Sequence, residues 1–306
     1  SWRVRIRRTH TRDLSCRAGC AVIVGSDPIA DVGRRPCRLR DGTKANDILR
    51  VCHLRIPGMD QNVHFPSPAP MESVEHPIML QGWNDLAYIH WPYDPDVVRQ
   101  RLPDGLQVDT FDGKAWVGLV AFRMERIRLP GTPGIPYFGT FPETNVRTYV
   151  QGPDGRTGVW FHSLDVTRLL PVLVARSTYR LPYVWSKMSI DRQGDQVTYV
   201  ARRRWPGPRG AASSFTVRRG DRVPASEVSS LEHFLTARWG LYTRLRGRLA
   251  YAPVDHPPWT LERATLESLD DELVQGAGYP EPNATPLVHY SPGVQVRVGL
   301  PRRVHG

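Results

Sequence analysis

The sequence predicts an α+β protein in which antiparallel strands dominate, the sheet curved or closed into a barrel and accompanied by a few short helices. Three observations carry that expectation. Pro 28 and Gly 26 among 306 residues, with nine Trp and eleven Tyr, favour short strands joined by turns over a helical bundle. Three turn dipeptides, Asp112-Gly113, Asp154-Gly155 and Gly194-Asp195, each stand between runs of alternating polarity. Segments of helical period are few and short. At 40% hydrophobic and 23% charged, the chain can build one large core or two ordinary ones, which excludes wholesale disorder.

The elements follow in order. The Pro-rich stretch Phe65-Pro-Ser-Pro-Ala-Pro70 marks a boundary, and residues 71–306 form a single domain beyond it. Trp83 to Trp91 reads as a strand. Asp94 then caps a short helix with Pro95 at its first position, Val98 and Leu102 fall on one face, and Pro103 stops it. Leu106 to Thr110 and Ala115 to Arg128 read as a hairpin about Asp112-Gly113, Asn145 to Gln151 and Val159 to Val166 as a second, and Val184 to Ile190 with Gln196 to Arg203 as a third. Residues 168–178 have a helical pattern despite Pro171. Ser229 and Glu232 form a capping box, after which Leu231, Phe234, Leu235, Trp239 and Tyr242 fall on one helical face as core. Pro286 to Ser291 and Val294 to Leu300 supply a last pair of strands.

Charge and motifs then exclude several functions. The formal charge is +11, but residues 1–70 hold 13 basic against 6 acidic residues, which leaves 28 against 24 for the rest. The excess is nearly all Arg, the lysines being Lys44, Lys114 and Lys187, so the main domain carries no nucleic-acid signature. Cys16, Cys20, Cys37 and Cys52 lie in the same first quarter without the paired short spacings of a zinc knuckle. Residues 1–70 read either as a disordered extension or as upstream sequence, with Met71 as the natural start. The longest apolar run, Leu169 to Ala175, is far short of the roughly 20 residues of a membrane-spanning helix. A cytoplasmic protein with no membrane association is the expectation. No G-x-x-x-x-G-K-[ST], strand-linked G-x-G-x-x-G, H-E-x-x-H or G-x-S-x-G occurs, and the histidines after residue 71 are scattered singly, so neither a metal nor an organic cofactor is expected.

Several motifs carry a resemblance. His90-Trp-Pro-Tyr-Asp-Pro95, Leu102-Pro-Asp-Gly-Leu106, Asp112-Gly-Lys-Ala-Trp-Val-Gly-Leu119, Phe141-Pro-Glu-Thr-Asn-Val-Arg-Thr-Tyr149, Leu231-Glu-His-Phe-Leu-Thr-Ala-Arg-Trp-Gly240 and Ala252-Pro-Val-Asp-His-Pro-Pro-Trp259 are similar to the YqjF-like family of uncharacterised proteins, domain of unknown function family 2071. The match spans residues 75–304. That family resembles acetoacetate decarboxylase, which implies a curved antiparallel sheet wrapped around a buried pocket. It also implies a comparison of machinery. In the decarboxylases a lysine, lowered in pKa by a neighbouring lysine, forms a Schiff base with a ketone. The matching positions here are Tyr183 and Val184, and the arginine of the first strand falls at Asn84. The glutamate of the aromatic-x-Glu motif is retained as Glu143.

The candidate site follows from these positions. Glu143 and Tyr183 are the candidate acid–base pair, Glu143 moving a proton and Tyr183 donating to a carbonyl or enolate oxygen. Arg147, four residues on and on the same strand face, and Arg176 are candidate anchors for a substrate carboxylate, each alternatively a structural ion pair, with Glu143 itself as one candidate partner. Trp185 and Lys187 share a strand face with Tyr183 and complete the substrate-binding candidates. Two functions fit: a lyase-like enzyme of decarboxylase, aldolase or dehydratase type acting on a keto acid or related carbonyl compound without a Schiff base, or a non-catalytic protein binding or sensing such a molecule. A homo-oligomer is compatible with either, since the related decarboxylases assemble.

Overall fold

In the computed structural model, which describes residues 73–134, 139–168 and 181–304, the alternating segments become strands. In chain order these are β1 (Met79–Tyr93), helix α1 (Pro95–Arg99), β2 (Gln107–Val108), β3 (Ala115–Arg128), β4 (Phe141–Gln151), β5 (Thr157–Val166), β6 (Tyr183–Gln193), β7 (Gln196–Trp205) and β8 (Ala212–Arg222). A 3₁₀ turn (Ala225–Glu227), helix α2 (Ser230–Thr236), β9 (Gly240–Leu245), β10 (Arg248–Asp255), β11 (Glu262–Asp271), helix α3 (Leu273–Gly276), β12 (Leu287–Val298) and β13 (Arg302–Arg303) complete the order. Among the described residues no helix is long and apolar enough to cross a membrane. The expectations for residues 1–70 and for a helix over 168–178 fall outside the described residues.

The strands form one sheet that closes on itself twice. Following β5-β6-β7-β8-β11-β12-β1-β3-β4 and the β4–β5 pairing gives a ring of nine strands. Following β5-β9-β10, then the β10–β12 pairing and back through β1, β3 and β4, gives a ring of seven. All neighbours are antiparallel except β5 with β6 and β5 with β9. The two rings share the wall β12-β1-β3-β4-β5, and this decides how the strands read in sequence. A strand of the shared wall has protein on both faces, so β3 opens with Ala115-Trp-Val-Gly-Leu-Val-Ala-Phe122, every residue buried and none polar. Strand β7 belongs to the larger ring alone and alternates: Val197, Tyr199 and Ala201 point in, Val200, Arg202 and Arg204 out.

The larger ring is filled by side chains. Ile89, Leu119, Tyr199, Phe215 and Tyr290 form its core, into which α1 adds Val98 and α3 adds Leu273 and Val274. A buried polar network sits among them: the Arg203 guanidinium grips Asp165 through two bonds of 2.9 Å, and the Ser163 and Ser186 hydroxyls complete it at 2.6 and 2.7 Å. Helix α2 packs on the smaller-ring side of the wall, Phe234 and Leu235 lying against Trp116, Tyr149 and Val159. Its capping box forms as expected, and Glu232 also accepts from His289 of β12 at 2.7 Å, which ties the helix to the wall.

Three expectations are corrected. Residues 106–110 and 115–128 are not a hairpin: both edges of β3 are taken by β1 and β4, so β2 pairs instead with the end of β4, Gln107 opposite Gln151, and the Asp112-Gly113 turn closes only a bridge between Phe111 and Lys114. The helix after Ser229 ends at Thr236, and Tyr242 lies on β9. Gly240 starts that strand beneath the Tyr251 ring, where a Cβ would lie 2.2 Å from the aromatic carbon; Trp239 and Tyr242 are nonetheless buried. The final pair of strands is a single strand, β12, that runs through Pro292-Gly293. Gly293 takes φ +136° there, and a Cβ would come within 2.3 Å of the Trp83 carbonyl oxygen.

Candidate functional site

The smaller ring is hollow. A cavity of about 400 Å³ opens between the shared wall and strands β9 and β10. On β4 the strand period of two sends Phe141, Glu143, Asn145 and Arg147 into it, and on β3 Val120, Phe122 and Met124. Strand β1 changes parity. Met79, Gln81 and Trp83 face the cavity, then Leu86 and Tyr88 do, because a bulge between Asn84 and Ala87 inserts a residue. Asp85 at that bulge has φ +50° and is held from the larger ring, its carboxylate accepting from Tyr290 and its carbonyl from Tyr199, both at 2.7 Å.

The cavity wall is chiefly aromatic and aliphatic, so the few polar groups in it are strongly perturbed. Glu143 is only 3% exposed, and burial pushes its carboxyl up to about 8; the charge of Asp165 behind the wall adds to this, while a hydrogen bond from Asn145 and the charge of Arg147 oppose it. Burial, and then the charge of Glu143, hold the Tyr183 phenol well above its ordinary value. Burial likewise raises Tyr88, against the pull of Arg147. Below them, burial keeps His90 neutral, and its Nε2 shares a 2.6 Å hydrogen bond with the Tyr149 hydroxyl.

The structure brings Glu143, Tyr183 and Arg147 to one cavity. The Arg147 guanidinium lies 5.5 Å from the ring centre of Tyr88 and 5.7 Å from that of Tyr149, and among the described residues no carboxylate comes within ion-pair distance of it. The ion pair with Glu143 weighed from the sequence does not form. Trp185 and Lys187 lie outside the cavity. Strand β6 pairs with β5 only at residues 183–185; beyond that it belongs to the larger ring alone, so the face that began in the cavity at Tyr183 ends in solvent at Lys187. Trp185 donates to the Thr167 carbonyl at 3.3 Å beneath the Arg204 guanidinium. Arg176 falls outside the described residues, and Lys114 is exposed. Among the cavity groups that escaped the sequence reading are Asn145 and Tyr88. Asn145 was accessible to it, two residues from Glu143 on the same face. Tyr88 was not, because the bulge at Asp85 reverses the alternation. No group of three or more His, Cys, Asp or Glu among the described residues is disposed to hold a metal ion.

Comparison with known proteins agrees with this architecture. Residues 80–295 match DUF2071, described as an uncharacterized conserved protein. The chain is 36% identical over 214 residues to the uncharacterized protein YqjF of Bacillus subtilis (strain 168), covering 70% of this chain and 87% of that one. An acetoacetate decarboxylase-like enzyme from Sphingomonas wittichii RW1 superposes with a TM-score of 0.53 at 14% identity, over 79% of this chain and 99% of its own. Acetoacetate decarboxylase from Legionella pneumophila does so with a TM-score of 0.51 at 15% identity, over 82% and 98%. At such identities the likeness is one of fold.

Proposed function

The chain belongs to the DUF2071 family on an acetoacetate decarboxylase-like fold, and from that premise we propose that its cavity binds a small carbonyl compound and moves a proton at the carbon beside the carbonyl, with no covalent intermediate. One observation carries the reading. Glu143 Oε2, Asn145 Oδ1, Arg147 Nε and Tyr88 Oη are all buried at this cavity without a hydrogen-bond partner. A buried polar atom left unsatisfied costs about 1–3 kcal/mol, and native structures hold few of them, so four around one apolar hollow describe the complement of a ligand.

The chemistry is that of a neutral acid in a dry site. With its carboxyl near 8, Glu143 is mostly protonated at neutral pH yet readily gives up or takes the proton. As carboxylate it removes a proton from the α-carbon, the C–H electron pair passing into the enolate while the ligand oxygen gains the negative charge; as acid it returns the proton to that carbon. The Tyr183 phenol, which stays protonated, donates to the enolate oxygen. The Arg147 charge favours the anion. A Schiff base is unsupported because the chain's lysines are Lys44, Lys114 and Lys187, and the last two are exposed.

The lysine's absence also favours a second reading, a receptor that holds the same molecule without turning it over. Exchange of α-protons for deuterium, followed by NMR on ketones and keto acids that raise the melting temperature of the full chain, separates the two. The enzyme reading expects exchange with the wild type and its loss in Glu143→Gln with binding intact. Exchange that survives Glu143→Gln overturns it, and binding without exchange in either protein establishes the receptor.

A further inference from the structure

The polar groups of the cavity differ in what they lack. Gln81 is engaged, its amide oxygen accepting from Trp83 Nε1 and its amide nitrogen reaching Met79 Sδ, both at 2.8 Å. The unsatisfied atoms gather about Asn145. Register places Tyr88 opposite Val120, Val120 opposite Asn145, Asn145 opposite Leu164 and Leu164 opposite Tyr183, so both phenols come from the level of Asn145. Glu143 and Arg147 stand two residues to either side of it on β4. Of the orphaned atoms, Arg147 Nε can only donate, the Tyr88 hydroxyl can donate and accept, and Asn145 Oδ1 can only accept. Chemistry decides which end of the Asn145 amide is which. Asn145 is hydrogen-bonded to Glu143, and a carboxylate accepts only, so while Glu143 is ionised, as it must be to take a proton, the Asn145 NH2 group faces it. Oδ1 is the end left over, buried and, among the described residues, without a donor.

A carbonyl or carboxylate oxygen offers that atom nothing, since neither donates. Resting on the reading above, we propose that the ligand is a hydroxy-carbonyl compound, its hydroxyl donating to Asn145 Oδ1 and its hydroxyl-bearing carbon giving up the proton to Glu143. Glu143 Oε2 and Asn145 Oδ1 belong to two hydrogen-bonded side chains. A C–H and an O–H on one carbon beside the ketone meet such a pair, and the hydroxyl oxygen keeps lone pairs that can accept from Tyr88 or Arg147. When that C–H passes its proton to Glu143, its electron pair forms a carbon–carbon double bond and the ketone oxygen takes the charge, giving an enediolate. Return of the proton from Glu143 to the same carbon restores the hydroxyketone, so no other reactant is needed. Asn145 is then a specificity residue: a ketone without the hydroxyl leaves its acceptor bare.

Calorimetric titration of the full chain with a series of acyloins, ketones bearing a hydroxyl on the adjacent carbon, tests this. Each is paired with the ketone in which a methyl group replaces the hydroxyl. The two match in shape, and the methyl ketone has the lower cost of leaving water. The expected result is that the acyloins bind about 10- to 100-fold tighter than their methyl partners. In Asn145→Leu, which keeps the side-chain volume and removes the acceptor, the order should reverse, and a cooperative urea transition reports that the variant is folded. The wild-type comparison decides by itself if Asn145→Leu does not fold. Methyl ketones bound at least as tightly as acyloins by the wild type, the result of a water held on Asn145, overturn the hydroxyl and leave the carbonyl reading standing. A preference for acyloins that survives in Asn145→Leu overturns it as well. Failure of every acyloin and every ketone to bind overturns both.

Discussion

Replacing Glu143 with Gln should stabilise the protein, and by an amount that depends on pH. The carboxyl is held near 8 in the fold against an ordinary 4.5. Between those values the unfolded chain carries one proton fewer at this site than the folded one, so stability falls as pH rises, by about 1.4 kcal/mol per unit. Glu143 is thus no burden below the unfolded value and a full one above the folded value. Over the whole interval the loss amounts to about 3 to 5 kcal/mol, the lower figure applying where water in the cavity screens part of the charge. Glutamine keeps the shape and is neutral throughout. Urea unfolding of wild type and Glu143→Gln at about pH 5 and about pH 9 measures the difference. The two proteins should be nearly equal at the lower pH, and the variant more stable by several kcal/mol at the higher. A stability difference of the same size at both pH values would refute the argument, because it would mean that the Glu143 carboxyl titrates alike in the folded and unfolded chain.

Two further substitutions probe the framework. Asp165→Ala strands the buried Arg203 guanidinium in the larger ring and should cost about 3 to 5 kcal/mol in urea unfolding; the variant Asp165→Ala with Arg203→Met, which removes both charges, should recover much of it. Gly293→Ala should destabilise by at least about 2 kcal/mol, since the new Cβ would meet the Trp83 carbonyl oxygen in a backbone conformation that L-residues avoid. Chemical denaturation midpoints measure it, and a neutral effect would contradict the close approach of β12 to the bulge of β1.

The legible parts of the fold were those written in local chemistry. The turns at Asp154-Gly155 and Gly194-Asp195 announced the hairpins β4–β5 and β6–β7, and Ser229 with Glu232 announced the start of α2. What failed was decided by distant neighbours. Ser291-Pro-Gly293 has the composition of a turn, yet the strand continues because β1 lies alongside it on one edge. Tyr242 keeps helical spacing with Leu235 but is drawn into β9 by pairing with Tyr251. In the site, Arg147 and Glu143 share a face by simple alternation, and that is enough to place both in the cavity. Lys187 obeys the same alternation relative to Tyr183 and still ends in solvent, because the face they share changes from cavity to exterior where β6 leaves β5. Alternation gives the side of a sheet. What lies on that side is set by how the sheet closes.

The shared wall also divides the chain's freedom to vary. Strands β9 and β10 contribute Leu241, Thr243, Ala252 and Val254 to the cavity and nothing to the packed core of the larger ring. They join the rest through short ladders, two residue pairs from β9 to β5 and two from β10 to β12. Heritable change in these two strands can therefore reshape the ligand's surroundings while the interior that carries most of the stability stays as it is. A substitution on β3 or β4 has no such latitude, since successive residues there face the two compartments in turn. Relatives that have diverged toward different small molecules should have done so first along residues 240–255.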